Sequence, residues 1–212
     1  MFRWLRRTPL RYTKQKLRVS GALTDYPPYR PPQWNLGTKS PTDADAEYKK
    51  FFFDNRDRRV EALRTFIARF DVTLDLSDVG VAAVSEWCPI YADLLVEEIE
   101  TDSVWSAYHG FAAPWTGPLL GLNPIFDLGV YYGECLLSRN SKLKWHPLRG
   151  PESDTPAHPI FGQRMRRPFD PINWMYTWCR NICSAKIVGS GPGKEFLDRT
   201  ALARDIRAQA NM

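Results

Sequence analysis

The stretch NPIFDLGVYYGECLLSRNSKLKW, residues 123–145, predicts the central helix of the fold. Asn123 is a residue type that caps helices, and Pro124 then falls at the first helical position, where a missing N–H leaves no acceptor unpaired. Apolar residues recur at three- and four-residue steps and predict a buried face. A neighbouring polar stripe consists of Asp127, Tyr131, Glu134 and Ser138. Gly129 and Gly133 leave a shallow groove on the buried face, where another segment of the chain can approach closely.

The flanking sequence predicts a mainly helical, α+β fold with a small two- or three-stranded β element at residues 142–162. Further helices are expected over residues 41–70, from Ser77 to a break at Pro89, and over 90–102, 171–187 and 194–210. In the first of these, one mixed solvated face is expected to hold Asp54, Arg56, Asp57, Arg58 and Arg59. Residues 26–32, YPPYRPP, predict a stiff extended linker crossing the body, the alternative being a ligand for an aromatic groove.

Composition indicates one main domain with appended segments. The chain has 212 residues, of which 43% are apolar, enough to bury a substantial core. We expect a basic N-terminal segment and proline-rich linker at 1–40, a helical core domain at 41–188, and a C-terminal linker and helix at 189–212. No apolar run approaches the roughly 20 residues of a membrane span. A cytoplasmic protein with four reduced cysteines is therefore expected, or an organellar one if the basic N-terminus is a transit peptide.

Charge is distributed unevenly along the chain. Residues 1–69 hold 16 Lys/Arg and 7 Asp/Glu, and residues 139–212 hold 13 and 6. Residues 70–138 hold 11 Asp/Glu and no basic residue. Two explanations stay open at this point. The basic ends can fold over the acidic middle and neutralise it, or one surface keeps a strong negative field.

The expected helix over residues 90–102 places several carboxylates on one face. They are Asp93, Glu97, Glu98, Glu100 and Asp102. This face lacks the lysine partners at i+4 that a solvated helix usually carries. It therefore needs basic neighbours within the fold or a basic surface on a partner protein.

Two basic segments predict contact with phosphates. The first 18 residues contain seven basic residues and no acid, and they include Arg3, Arg6, Arg7 and Arg11. The second segment, interleaved with aromatic residues, includes Lys142, Lys144, Arg164, Arg166 and Arg167. Nucleic acid is one expected partner of such surfaces. A solvated tail or transit peptide explains the first segment equally well, and pairing with the acidic middle explains the second.

Catalytic and metal-binding signals are weak. Asp127 and Glu134 share a helix face but lie about 10 Å apart along its axis, so a polar helix edge explains them better than paired catalysis. Cys179 and Cys183, with the isolated His146 and His158, lack the close pairs typical of metal sites. We therefore expect a protein that is not an enzyme and that carries no cofactor and no metal.

Two motifs resemble a pattern found in small bacterial cytoplasmic proteins. One is the LDLS turn at residues 74–77 with the helix that follows as far as Trp87, and the other is DLGVYYGE at 127–134 with its continuation to Trp145. Proteins with this pattern resemble candidate toxin-immunity proteins, so the resemblance implies a binding function and no active site. The leading hypothesis is a protein-binding, immunity-like inhibitor that uses the acidic face. The alternative is a nucleic-acid-associated or organellar assembly protein that uses the basic segments.

Overall fold

The structure is a computed structural model that describes residues 10–32, 41–149, 156–161, 168–188 and 194–211. Within these ranges the fold is mainly helical, as the sequence predicted. The α-helices are α1 Leu10–Leu23, α2 Pro41–Ala68, α3 Asp78–Tyr91, α4 Asp102–His109, α5 Leu122–Arg139, α6 Pro171–Val188 and α7 Ala201–Ala210. Short 3-10 helices lie at Ala92–Leu94, Gly117–Leu119 and Lys194–Leu197.

The small β element is an antiparallel hairpin between α5 and α6. Strand β1, Lys144–Trp145, pairs with β4, Ile160–Phe161, and β2, Leu148–Arg149, pairs with β3, Pro156–Ala157. Both pairs have the same register, and the His146 N–H donates to the Pro159 carbonyl between them. The predicted pairing of the first strand with residues 160–161 is confirmed.

Helix α5 is the centre of the fold and packs against α6, α2 and α7. It is buried on nearly every side, because even Asp127 and Tyr131 from the predicted polar stripe have no exposed surface. The prediction that Asn123 caps the helix is wrong, since α5 begins one residue earlier, at Leu122. The buried Asn123 amide instead accepts a hydrogen bond from the Tyr29 N–H at 2.6 Å and donates to the Trp115 carbonyl at 2.9 Å. It thereby joins α5 to two other segments of the chain.

The two glycines of α5 allow close packing, as predicted. A Cβ atom on Gly129 would lie 2.5 Å from the Ile172 Cα of α6. One on Gly133 would lie 1.9 Å from Cζ2 of Trp145, whose indole N–H donates to the Glu134 carboxylate at 2.7 Å. The groove therefore receives α6 at one glycine and the hairpin at the other.

The C-terminal boundary of α3 differs from the prediction. Ser77 caps α3 as expected, accepting a hydrogen bond from the Gly80 N–H. The helix nevertheless continues through Pro89 to Tyr91. Pro89 lies in the last turn and removes one helical hydrogen bond, the one that a backbone N–H there would donate to the Ser85 carbonyl.

The predicted helix over residues 90–102 does not form. Its place is taken by the 3-10 helix Ala92–Leu94 and a series of turns, with Glu98 at a φ of 57°. The consecutive residues Leu94, Leu95 and Val96 are all buried. A single helical stripe cannot bury three successive side chains, so tertiary packing overrides the acidic periodicity.

The linker at residues 26–32 crosses the body, as the prediction of a stiff segment requires. Tyr26 and Tyr29 are buried in the same hydrophobic cluster as the side chains of α2 and α5. That cluster also takes in Val19 from α1 and Ile206 from α7. The N-terminal and C-terminal elements therefore share one core with the central helices.

The contact between Gly133 and Trp145 predicts the effect of adding a methyl group. We expect Gly133→Ala to destabilise the protein in urea unfolding, since overpacking of about 1–3 kcal/mol exceeds a helix-propensity gain of about 1 kcal/mol. The matched control is Gly21→Ala in α1, where an added Cβ meets no atom within 4 Å among the described residues. That control should gain roughly 0.5–1 kcal/mol. Equal stabilisation by both changes would contradict this account of the groove.

Candidate functional site

The five carboxylates of the predicted acidic face do not share a helix face. Asp93 is buried at the 3-10 helix, whereas Glu97, Glu98, Glu100 and Asp102 are exposed. We call residues 97–102 the acidic turn. Its carboxylates lie on a turn and not in a row, because the backbone reverses at Glu98. This arrangement corrects the predicted helical geometry while leaving four exposed acidic residues close together in the chain.

Asp93 has a structural environment. Its carboxylate pairs with Lys186 of α6, and its side chain is 4% exposed. Burial raises the pKa of Asp93, and the Lys186 ammonium opposes that rise. The pair holds the 3-10 helix against α6, so Asp93 cannot belong to an exposed binding surface.

Two carboxylates of the acidic turn already have partners within the chain. Glu97 accepts a hydrogen bond from the Lys16 ammonium of α1 at 2.7 Å, and this bond lowers the pKa of Glu97. The Glu100 carboxylate accepts a weak hydrogen bond from the Cys183 thiol of α6 at 3.6 Å. Among the described residues, neither Glu98 nor Asp102 has an ion-pair partner. These two carboxylates are the most available part of the turn.

An exposed tryptophan lies one helical turn beyond Asp102. Trp105 of α4 is 45% exposed, and its ring packs on His109 with the centroids 4.6 Å apart. Trp105 was not among the residues that the sequence predicted to form a binding surface. Its spacing held a signal, since Val104 and Tyr108, four residues apart, are the buried pair of α4 and Trp105 lies off their face.

The basic ends of the chain neutralise much of the acidic middle. Among the described residues, six carboxylates of residues 70–138 form ion pairs with bases from the first or last third of the chain. The pairs are Asp71 with Arg18, Asp78 with Arg139, Asp93 with Lys186, Glu97 with Lys16, Asp127 with Arg59 and Glu134 with Arg56. Internal pairing therefore accounts for much of the charge layout, and the exposed remainder is concentrated at the acidic turn.

A buried ion pair lies at the centre of the structure. The Arg59 guanidinium donates to both oxygens of Asp127 at 2.7 Å, and it also donates to the Pro27 carbonyl at 2.8 Å. The Tyr26 hydroxyl donates to Asp127 as well. Arg59 is 7% exposed, so its predicted place on a solvated face is wrong. The Arg59 side chain points inward because it pairs with Asp127, which is buried in α5.

Burial and pairing act in opposite directions on the Asp127 carboxyl. Burial raises the pKa of Asp127, whereas the guanidinium and the Tyr26 hydroxyl lower it. Without Arg59, the effect of burial would dominate, and the raised pKa of Asp127 would favour the protonated carboxyl. The pair is therefore a structural joint between α2, α5 and the linker at residues 26–32.

Glu134, which was considered for catalysis, and two of the cysteines are likewise used in packing. Glu134 accepts a hydrogen bond from the Trp145 indole and pairs with Arg56 at 3.2 Å, away from the Asp127 cluster. Burial raises the pKa of the Cys135 thiol and that of the Cys183 thiol to about 12. Neither thiol is ionised near neutral pH. Within the described ranges, no three His, Cys, Asp or Glu side chains form a group that could hold a metal ion.

The two motifs of the resemblance contact each other in the fold. The Tyr131 hydroxyl of the second motif donates to the Asp75 carbonyl of the first at 2.8 Å. Glu134 holds Trp145, and Gly133 makes room for its ring. Each of these residues therefore has a packing or capping role.

The predicted basic surface is only partly within the described ranges. Lys142 and Lys144 are exposed, Lys142 just before β1 and Lys144 in it. Arg11 is a residue of α1. Arg3, Arg6, Arg7, Arg164, Arg166 and Arg167 lie outside the described residues.

Comparison of the chain with protein-family models, with curated proteins and with solved structures finds no significant match. None of the described helices has the length and apolar character required to cross a membrane. The arrangement of the residues themselves is therefore the basis for any functional proposal.

The buried ion pair predicts a sharp difference between two adjacent arginines. We expect Arg59→Met to lower the free energy of unfolding by about 3–5 kcal/mol, because it leaves the Asp127 carboxyl buried and unpaired. The neighbouring Arg58 is exposed, so Arg58→Met should change it by less than about 0.5 kcal/mol. Chemical denaturation measures both. The double change Arg59→Met with Asp127→Asn should recover part of the loss, and an additive double variant would argue against coupling.

His158 predicts a pH dependence of stability. It is buried between aromatic rings, its Nε2 contacts the Tyr48 hydroxyl, and burial lowers its pKa to about 4. Between the ordinary pKa of 6.5 and about 4, the unfolded chain binds a proton that the folded chain does not. Stability should therefore fall as the pH falls through this window, by at most about 1.4 kcal/mol per pH unit from this group.

Urea unfolding between pH 7.5 and 4.5 measures that slope. His158→Gln should flatten it, whereas His146→Gln, at an exposed histidine of the same hairpin, should leave it close to that of the parent protein. Identical slopes in the parent protein and His158→Gln would show that His158 does not contribute.

Proposed function

We propose that this protein is a non-enzymatic binding protein whose acidic turn, with Trp105, occupies a basic site on a partner protein. An immunity protein acts on a toxin in this way, and the resemblance of the two sequence motifs supports the same class of inhibitor here. In this proposal the protein acts in the cytoplasm, where its four free cysteines would stay reduced. The acidic residues of the proposed interface are Glu97, Glu98, Glu100 and Asp102, while Asp93 is left out because it is buried.

The observation that carries the proposal is the exposure of Trp105 one helical turn after Asp102, which like Glu98 has no ion-pair partner among the described residues. An exposed tryptophan is a common anchor of protein interfaces, because it buries a large area with little loss of side-chain entropy. Carboxylates at the rim of such an anchor speed association with a basic surface and fix its orientation. Charge alone would not distinguish this turn from any solvated acidic segment.

The contact between Lys16 and Glu97 supports the expected mode of recognition. Glu97 binds the lysine ammonium although its own side chain is 72% exposed. A lysine of a partner could be bound by Glu98 or Asp102 in the same manner. The contact also decides which residues to change, because a substitution of Glu97 would disturb α1 as well as the turn.

The second candidate function is binding of nucleic acid by the basic segments. It is supported by Lys142 and Lys144, which are both exposed at the start of the hairpin. Their contacts would be with phosphates and would weaken with salt. Sensitivity to nuclease separates this function from protein binding.

The proposal predicts that charge reversal at the acidic turn weakens binding of the partner. Tagged protein would be used to capture partners from native host cells with nuclease present, and the captured proteins would be identified by mass spectrometry. We expect one stoichiometric basic protein, whose purified form binds Glu98→Lys/Asp102→Lys at least tenfold more weakly, about 1.4 kcal/mol. Trp105→Ala should weaken binding to a similar degree.

The control reverses an equally exposed charge elsewhere. Asp57 of α2 has a side chain that is 88% exposed, so Asp57→Lys changes the net charge as much as the single variant Glu98→Lys does, and it should keep the affinity of the parent protein while Glu98→Lys weakens binding. If Asp57→Lys weakens binding as much as the turn variants, the effect is one of net charge. If no variant matters, or if recovery requires nucleic acid, the proposed interface is wrong.

A further inference from the structure

A small cleft lies between the linker at residues 26–32 and helix α2. Its volume is about 230 Å³. The linker contributes Pro28, Tyr29 and Arg30 to its lining, and α2 contributes Phe51, Asn55 and Arg58. The Tyr29 and Phe51 rings pack edge to face with centroids 5.6 Å apart. The cleft therefore combines an aromatic lining with basic residues from two separate elements.

The two outer arginines stand out by their lack of partners. Arg30 and Arg58 are both exposed, and within the part of the chain that the structure describes, neither forms an ion pair or a side-chain hydrogen bond. The other arginines of α2 behave differently. Arg56 and Arg64 each pair with a carboxylate, and so does Arg69, which directly follows the helix.

Nearby groups do not cancel this charge. Arg59, which also lines the cleft, is neutralised by Asp127 and is fixed by its bond to the Pro27 carbonyl. Asp54, one turn before Arg58, pairs with Lys50. The positive charge of Arg30 and Arg58 thus remains at the mouth of a cleft whose wall is held rigid by the buried ion pair.

We propose that this cleft binds a small ligand that carries a phosphate group. A guanidinium presents parallel N–H donors that match two oxygens of a phosphate, and two guanidinium groups on separate elements can bind it together. The volume is below that of a typical cofactor pocket, so the expected ligand is a phosphate group with one short or ring-sized substituent. An aromatic substituent would contact Phe51 and Pro28. The site shares no residue with the acidic turn.

The test uses phenyl phosphate and inorganic phosphate as probes of the full-length protein. Isothermal titration calorimetry at fixed ionic strength should give saturable 1:1 binding of phenyl phosphate. Arg30→Gln and Arg58→Gln should each weaken it at least fivefold, and the double variant should abolish it. Arg64→Gln, at an arginine of the same helix outside the cleft, should bind as the parent protein does.

The two probes distinguish the source of the phosphate. Tighter binding of phenyl phosphate would assign a phosphate ester whose substituent contacts the aromatic lining, and equal binding would assign the free anion. Both results support the site if the arginine variants lose binding. Absence of saturation, equal loss in Arg64→Gln, or at least tenfold tighter binding of a single-stranded oligonucleotide through the same arginines would overturn the proposal.

Discussion

The pair between Arg59 and Asp127 is the contact on which the arrangement of the chain depends. One guanidinium connects α2 to α5 through Asp127 and connects both helices to the linker through Pro27. An ion pair in a core adds little net stability over an apolar pair, yet it tolerates few alternative geometries. In this fold it sets the position of the linker, and the linker in turn forms one wall of the arginine cleft. The buried ion pair thus shapes the arginine cleft, although the Asp127 carboxylate is not part of that surface.

Most charged residues of the middle of the chain are used in ion pairs within the fold, and most of the rest are exposed on its surface. Bases from both ends of the chain pair with carboxylates of the middle, so the large differences between the thirds of the sequence mostly disappear on folding. Exposed pairs of this kind contribute little to stability individually. Among the described residues, the exposed charges that remain unpaired include the acidic Glu98 and Asp102 and the basic Arg30 and Arg58.

Sequence periodicity predicted the long elements well. Helices α2, α5 and α6 and the pairing of β1 with β4 were located because their apolar spacing and their turn residues agree. It failed over residues 90–102, where the burial of Leu94, Leu95 and Val96 overrides an acidic pattern that looks helical. It also failed for Arg59, whose partner lies 68 residues away. A run of charged residues gives no local sign of which one faces inward, and the exposure of Trp105 depends likewise on how α4 packs.

The bond between Lys16 and Glu97 places the acidic turn in thermodynamic linkage with the N-terminal helix. A partner that binds Glu97 must first displace Lys16, and α1 then loses one of the side-chain contacts that hold it to the rest of the fold. By reciprocity, a modification that breaks the contact between Lys16 and Glu97 would strengthen the binding of such a partner by the free energy that displacing Lys16 costs. Acetylation of Lys16 would be such a change, since it removes the ammonium charge without altering the turn. The order of α1 would then report whether the turn is occupied.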